Sequence, residues 1–136
     1  MANPELQQPQ PTEGELAILR VLWTRKDAMT VREVHEELSR HKNTAYTTVL
    51  KMLTIMADKG LVGRDESERS HRYRAAYSEP VVQSSMLKSF LRNAFSGSTS
   101  KMVLRAIDDD AVSAEDLDEI ENMIKAARER KGDAKP

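Results

Sequence analysis

The chain has 136 residues, of which 32% are charged and 4% are aromatic, and its formal net charge is −1. This length fits one compact domain with an appendage, and the few aromatic residues leave a modest core that a second chain could complete. The absence of cysteine excludes a disulfide framework, a thiolate metal site and thiol chemistry. The longest apolar run is far too short to span a bilayer, which excludes a membrane protein.

Residues 1–11 are rich in proline and glutamine. They lack the basic start and the apolar stretch of a signal peptide. We expect a short disordered arm here, on a protein that stays in the cytoplasm.

A capping box predicts where the first helix begins. The Thr12 hydroxyl can accept a hydrogen bond from a free N–H group of the first turn, while Glu15 reaches back to the residue before the helix. Apolar residues then follow at helical spacing, namely Leu16, Leu19 and Trp23. The pattern predicts a helix over residues 13–25, with Trp23 in the core.

A second capping box, Thr30 with Glu33, predicts a short helix over residues 31–39. Its apolar residues recur with the same spacing, at Val31, Val34 and Leu38. Arg32 and the glutamates of this segment point away from this apolar side of the helix. Residues 41–43 link this helix to the next one.

The third predicted helix has an apolar stripe and a polar face. The stripe consists of Val49, Met52, Leu53 and Met56. The opposite face carries Thr44, Thr47, Lys51, Thr54 and Asp58, with Thr48 and Leu50 on its flanks. Small hydroxyl groups and one lysine can approach base edges closely in the major groove, and threonine methyls can contact thymine methyls there. Tyr46, near the apolar edge, can pack against the core or reach a phosphate.

A β-hairpin is predicted directly after this helix. Gly60 has the position of a C-terminal helix cap, residues 61–64 read as a strand, 65–70 as a polar turn and 71–77 as the return strand. A helix followed by a hairpin is the order in which a winged helix-turn-helix presents a reading helix and a wing to DNA. The order indicates a DNA-binding regulator.

The return strand alternates, so Tyr73 and Ala75 can face the core while Arg72 and Arg74 face solvent, where they can contact phosphate. The charge distribution agrees with this interpretation. Residues 40–74 hold eight basic and four acidic residues, whereas residues 78–136 hold nine basic and eleven acidic ones. The first segment can therefore face phosphate, and the second need not.

We predict that DNA is contacted by the start of the second helix, by the third helix and by the wing. The predicted contact residues are Thr30, Arg32, Thr44, Tyr46, Thr47, Thr48, Lys51, Arg69, His71, Arg72 and Arg74. Two structural alternatives remain open at this stage. The polar helix face can be an ordinary solvated surface, and the wing arginines can protect an edge strand from pairing.

The sequence offers little support for a metal site or for catalysis. His35, His41 and His71 are too scattered to predict a metal site, and the methionines at helical spacing suit a core better than a metal. Residues 108–110 are three aspartates that solvate a turn. No nucleophile elbow, phosphate-binding glycine loop or zinc-binding helix motif is present. We expect no enzyme activity, no cofactor and no metal.

Three helices are predicted in the last third of the chain, over residues 81–95, 101–107 and 114–128, the last after a capping pair of Ser113 and Asp116. Such thin helices bury too little surface alone, so we expect them to pair between two chains. The predicted dimer contacts are Val82, Met86, Phe90, Leu91, Leu104, Leu117, Ile120 and Ile124.

The chain resembles the penicillinase-repressor family of bacterial transcriptional regulators (BlaI, MecI, CopY) over about residues 12–127. The motifs that carry the resemblance are Glu15-Leu16-Ala17-Ile18-Leu19 with Leu22-Trp23, Thr30-Val31-Arg32-Glu33-Val34, Ala45-Tyr46-Thr47-Thr48-Val49, Lys59-Gly60-Leu61-Val62 and His71-Arg72-Tyr73. The resemblance implies a homodimer whose winged helices bind a dyad-symmetric operator and block transcription until released.

Two departures concern that release. In the penicillinase and methicillin-resistance repressors, a sensor-linked protease cuts an Asn-Phe bond in the middle dimerisation helix, and the matching position here is Arg105-Ala106. The copper-responsive branch carries a C-terminal cysteine hook for metal, which a chain without cysteine cannot form.

The sequence thus predicts a mainly α-helical protein with a small β-hairpin. A disordered arm (1–11) precedes a winged helix-turn-helix domain (12–77), a helical dimerisation region (78–128) and a disordered tail (129–136). The predicted function is repression of stress or antibiotic-response genes by a homodimer on double-stranded operator DNA, with release by a sensor-linked protease or another signal. A winged-helix module that binds proteins without DNA specificity is the alternative.

Overall fold

The computed structural model describes residues 10–109 and 112–133. Most of the predicted arm, and the last three residues of the predicted tail, lie outside this part. The chain divides into two compact units, Met1–Ser89 and Phe90–Pro136. The division falls twelve residues after the predicted boundary at residue 77, inside a long helix.

The first unit begins with three helices and three short strands and continues into a fourth helix. In chain order the elements are α1 (Glu13–Trp23), β1 (Met29–Thr30), α2 (Val31–Ser39), α3 (Tyr46–Lys59), β2 (Val62–Asp65), β3 (Arg72–Ala75) and α4 (Glu79–Phe95). The predicted fold class is therefore confirmed as a winged helix-turn-helix. The first helix ends at Trp23, two residues earlier than predicted.

Both predicted capping boxes form. The Thr12 hydroxyl accepts from the Glu15 N–H group at 3.2 Å, and the Thr12 N–H group donates to Glu15 Oε1 at 2.9 Å. The same reciprocal pair joins Thr30 and Glu33 at the start of α2. Each box satisfies N–H groups that the first helical turn leaves without a partner, so the helix starts are encoded locally.

Gly60 ends α3 in the left-handed conformation, with φ of 83°. The Gly60 N–H group donates to the Ala57 carbonyl, and the Leu61 N–H group donates to the Met56 carbonyl at 2.9 Å. These two bonds form a Schellman motif, and Leu61 and Met56, which occupy the two positions of its apolar contact, are both buried in the core. The motif turns the chain into β2.

Gly60→Ala is expected to lower the free energy of unfolding by about 1 kcal/mol. A Cβ atom at this position would meet no other atom within 4 Å, so the cost is the left-handed backbone conformation alone. Urea denaturation of the two proteins measures the difference. An unchanged midpoint would show that α3 can end without the left-handed residue.

The sheet is antiparallel, with the strand order β1-β3-β2. Arg64 pairs with Tyr73 and Asp65 with Arg72 across the wing, while Thr30 of β1 pairs with the other side of Arg72. The sequence did not predict β1, because two residues are too short to show an alternating pattern. This strand joins the start of α2 to the wing.

The core of the first unit is apolar and draws on every element. It consists of Ile18, Leu19, Leu22, Met29, Val31, Val34, Val49, Leu53, Met56, Leu61, Val62, Tyr73 and Val82. Trp23 packs at the edge of this cluster and is only half-buried, and its Nε1 donates to the Tyr77 carbonyl at 3.0 Å. Tyr73 faces inward, as predicted from the alternation of β3.

Two predicted dimer contacts need correction. Val82 is buried in the core of the first unit, and Met86 packs against the same cluster. The first turns of α4 are therefore part of the winged-helix unit within one chain. Nearby, the buried Ser85 accepts a hydrogen bond from Gln10 Nε2 at 2.8 Å, so ordered contacts already begin inside the predicted arm.

The second unit contains the end of α4 followed by α5 (Thr99–Asp108) and α6 (Ala114–Asp133). Ser98 caps α5, and the predicted pair of Ser113 and Asp116 caps α6. Because α6 runs to Asp133, the predicted disordered tail is helical over its first five residues. None of the described side chains after Ser89 is fully buried.

The apolar side chains of this second unit are instead exposed to a large extent. The most exposed are Phe90, Leu104, Met123 and Ile124, and Val103, Ile107 and Leu117 are also exposed. Leu91 and Ile120 are half-buried. Within the described parts of the chain, no helix combines the length and the apolar character needed to cross a membrane.

Candidate nucleic-acid interface

The exposed side of α3 forms a polar surface next to the core stripe. Val49, Leu53 and Met56 are fully buried, and Met52 is partly buried, as predicted. The exposed side carries Tyr46, Thr47, Thr48, Leu50, Lys51 and Thr54, a set that we call the reading face. One helix of 14 residues thus supplies both the core stripe and a surface that can enter a groove.

The hydroxyl groups near this face differ in how they are bonded. Thr54 Oγ1 donates to the Leu50 carbonyl at 2.9 Å, and Thr44 Oγ1 donates to the Lys42 carbonyl at 3.2 Å. Among the described residues, the side chains of Thr47, Thr48 and Lys51 have no hydrogen-bond or ion-pair partner. These three side chains can therefore bond to a ligand without breaking an internal contact.

His35 fixes the start of the reading helix. Its Nε2 atom donates to the Thr44 carbonyl at 2.8 Å, and its ring meets the Tyr46 ring edge-on with 5.7 Å between centroids. No local pattern predicts this role, because the contact joins α2 to the residues before α3 through the tertiary fold. Thr44 is half-buried just before α3, and Tyr46 is 45% exposed.

The start of α2 meets the wing at the Glu33 carboxylate. Glu33 accepts from the Thr30 N–H and hydroxyl groups at 3.0 and 3.1 Å and from Arg25 Nη2 at 2.8 Å. Arg72 Nη1 lies 3.7 Å from the same carboxylate. The Thr30 N–H bond lowers the pKa of Glu33, with a further contribution from Arg25, so the carboxylate stays charged.

Among the predicted contact residues at this junction, Thr30 and Arg72 are thus already engaged within the chain. The Thr30 hydroxyl belongs to the cap of α2, and the half-buried Arg72 also lies 3.8 Å from Glu68. Arg32 is exposed and lies 3.6 Å from Glu36. The role of Arg25 at this junction was not predicted, because Arg25 follows the end of α1 and its partner is eight residues away in α2.

The other predicted contact residues of the wing are exposed. Arg69, His71 and Arg74 all lie on its surface. The Ser67 N–H group donates to Asp65 Oδ1 at 2.9 Å, which shapes the turn and lowers the pKa of Asp65. The wing therefore offers cations beside a turn that is held by a hydrogen bond from a backbone N–H group to the Asp65 side chain.

A buried carboxylate ties α1 to the end of α3. Lys59 Nζ donates to both Glu15 oxygens, at 3.0 and 2.9 Å, although 44 residues separate the two. Burial by itself would raise the pKa of Glu15, but the bonds from Thr12 and Lys59 outweigh it, and the pKa lies below its usual value. This pair anchors the reading helix at the end opposite to His35.

Within the described residues, no group of histidine and carboxylate side chains has the arrangement of a metal site. His35 is engaged with Thr44, while His41 and His71 are exposed on a loop and on the wing. This surface offers hydrogen-bonding and charged groups. Such groups suit a nucleic acid, which is a polyanion whose base edges carry hydrogen-bond donors and acceptors.

The comparison with known proteins agrees with this architecture. The sequence model of the penicillinase repressor family matches residues 11–126. The chain belongs to the penicillinase repressor family. It is therefore a DNA-binding transcriptional repressor of a non-enzymatic family.

Individual members of the family are similar along most of their length. The transcriptional regulator BlaI of Mycobacterium tuberculosis is 32% identical over 111 residues, which cover 81% of this chain and 79% of that protein. The penicillinase repressor of Bacillus licheniformis is 26% identical over 123 residues, covering 90% and 95%. The solution structure of the DNA-binding domain of the repressor BlaI is 25% identical, with a TM-score of 0.49, and covers 55% of this chain and 90% of that one.

Proposed function

We propose that this repressor acts in the cytoplasm as a homodimer on a dyad-symmetric double-stranded operator. In this proposal the reading face of α3 enters the major groove, and the wing and the start of α2 contact the flanking phosphates. The regulated genes serve a stress or antibiotic response. Proteolysis by a sensor-linked protease, or another signal, releases the DNA.

One observation carries the proposal: the hydroxyl groups of Thr47 and Thr48 and the ammonium group of Lys51 lie on an exposed helix face and have no partner among the described residues. Exposed polar groups are ordinary on a helix, but here they lie on the third helix of a winged helix-turn-helix. The first turns of such a helix contact base edges when it lies in the groove. The exposed Arg69 and Arg74 of the wing supply cations for the backbone.

The test is a gel-shift titration with duplexes enriched by the protein from a pool with a randomised centre, against scrambled duplexes. A dimer that makes about 6 to 10 phosphate contacts should lose roughly 10³ or more in affinity between about 50 and 200 mM salt. Saturable binding that prefers the enriched duplex supports the proposal. Failure to bind any duplex at low salt would favour the protein-interaction module.

Lys51→Ala is expected to weaken binding to the enriched duplex by on the order of 1 to 3 kcal/mol and to relax base discrimination. Arg74→Ala is the contrasting variant, because a phosphate contact carries no sequence information. It should weaken enriched and scrambled duplexes alike and reduce the salt dependence. Equal losses on both duplexes for Lys51→Ala would contradict a base-reading role.

The homodimer proposal rests on the exposed apolar side chains of the second unit. Phe90, Leu104, Leu117 and Ile124 are each at least 40% exposed, and no described side chain of this unit is fully buried. Helices with so little buried surface lack a core of their own, and an obligate dimer interface supplies one. We assign Leu91 and Ile120 to the same dimer surface. Val82 and Met86 are left out of it, because they pack in the core of the first unit.

Leu104→Asp is therefore expected to convert the dimer to a monomer at concentrations where the parent protein remains dimeric. The side chain is 52% exposed, so a charge there leaves the first unit folded. Lys101→Asp, at an exposed position of the same helix, is the control and should stay dimeric. Analytical ultracentrifugation distinguishes the two, and a Leu104→Asp protein that sediments as the parent dimer would exclude α5 from the interface.

The proposed cleavage position lies in the same helix. Arg105 and Ala106 are both exposed on α5, and Arg105 Nη2 donates to Asp108 Oδ2 at 3.1 Å. Cleavage there would divide the proposed dimer surface, so it would release DNA by weakening the dimer.

A further inference from the structure

An apolar row runs along one side of the reading face. Tyr46 and Leu50 lie one helical turn apart and are 45% and 42% exposed, and Thr54 lies one turn further. The Thr54 hydroxyl donates to the Leu50 carbonyl, so it is turned toward the backbone and leaves the methyl group for the surface. The row therefore presents carbon atoms, with Leu50 at its centre.

Hydrogen-bond donors lie directly beside this row. Thr47 precedes Leu50 by three residues, so the two side chains are neighbours on the helix surface. Lys51 follows on the next position of the exposed side. Neither Thr47 nor Lys51 has a partner among the described residues. The reading face thus offers a branched apolar group next to free donors.

Only one base pair edge in the major groove matches this arrangement. Thymine presents the O4 acceptor beside the C5 methyl group, whereas guanine presents two acceptors, and cytosine and adenine expose an amino group. We propose that Leu50 is a specificity-determining residue that recognises a thymine by contact with its C5 methyl group, with Thr47 or Lys51 donating to O4. The inference rests on the proposed function, because it requires α3 to lie in the major groove.

Position along α3 separates Leu50 from Ile55, the other exposed aliphatic residue among the described residues of this helix. Leu50 is the fifth residue of α3, whereas Ile55 is the tenth and 40% exposed on the opposite flank. Base edges are contacted mainly by the N-terminal residues of a recognition helix. Ile55 is therefore a matched control, with similar exposure and chemistry but without the predicted contact.

The experiment replaces each thymine of an enriched duplex, one at a time, by deoxyuridine. This replacement removes the C5 methyl group and keeps the O4 acceptor. The full-length protein is expected to bind about fourfold more weakly when the contacted methyl is removed from one half-site. Other thymines of the same duplex should show no change, and they serve as internal controls.

Three variants assign the effect to the side chain. Leu50→Ala should bind the thymine and deoxyuridine duplexes equally, while Leu50→Met and Ile55→Ala should keep the fourfold difference. Because each variant is compared with itself on two duplexes, a general loss of affinity does not affect the ratio. Because Leu50 and Ile55 are both exposed, all three variants should have the same urea-denaturation midpoint as the parent protein.

Two results would overturn the inference while leaving the proposed function intact. One is sequence-selective binding that no deoxyuridine replacement weakens. The other is a methyl effect of the same size in Leu50→Ala and in the parent protein. If no duplex is enriched at all and binding at low salt is absent, the proposed function fails and the thymine contact fails with it.

Discussion

Leu53→Ala is expected to lower the free energy of unfolding of the first unit by about 3 kcal/mol. Leu53 is fully buried in α3, where it belongs to the core stripe with Val49 and Met56. Truncation removes apolar contacts and leaves a cavity, because the helices and strands around it can relax only in part. A loss of this size is a large fraction of the stability of a small domain.

Urea denaturation followed by the fluorescence of Trp23 measures this loss. Trp23 is the only tryptophan of the chain and packs at the edge of the same core, so its signal reports the first unit. Leu50→Ala is the matched control, since it makes the same change three residues away at a position that is 42% exposed. Similar midpoints for the two variants would contradict the assignment of the buried and exposed sides of α3.

Lys59→Met is expected to cost about 2 kcal/mol near neutral pH. The substitution keeps most of the apolar stem but removes the ammonium group that donates to both oxygens of the buried Glu15. The remaining bonds from Thr12 only partly offset the burial of that charge. The cost stays below that of breaking a fully buried pair, because the Lys59 side chain is about a third exposed.

The loss should depend on pH in a defined direction. The pKa of Glu15 in the folded protein lies below its ordinary value of 4.5, so its ionised form stabilises the fold above that value. This contribution disappears as the pH falls from the ordinary value through the lowered one. The parent protein and Lys59→Met should therefore differ most near neutral pH and converge once Glu15 is protonated in both.

Urea denaturation at neutral pH and at a series of decreasing pH values below the ordinary Glu15 pKa tests this convergence. Lys26→Met is the control, because Lys26 is an exposed lysine with no ion-pair partner among the described residues. It should change the free energy of unfolding by less than about 0.5 kcal/mol at each of these pH values. A Lys59→Met difference that stays constant with pH would exclude the Glu15 charge as its cause.

The sequence determined the elements that depend on neighbouring residues. The capping boxes at Thr12 and Thr30 consist of hydrogen bonds within one helical turn. The left-handed Gly60 likewise ends α3 through bonds to nearby residues. Helical periodicity identified the buried stripe around Leu53 and, with it, the polar reading face. These signals act over three to four residues, so a single sequence contains all the information that they need.

Contacts between distant residues were decided by the tertiary structure. The strand β1, the pair of Glu15 with Lys59 and the bond from His35 to Thr44 join segments that have no common local pattern. The start of α4 is the clearest case, since Val82 has the helical spacing of a dimer contact but lies in the core of its own chain. Periodicity shows that a helix has an apolar face, but only packing decides which surface covers that face.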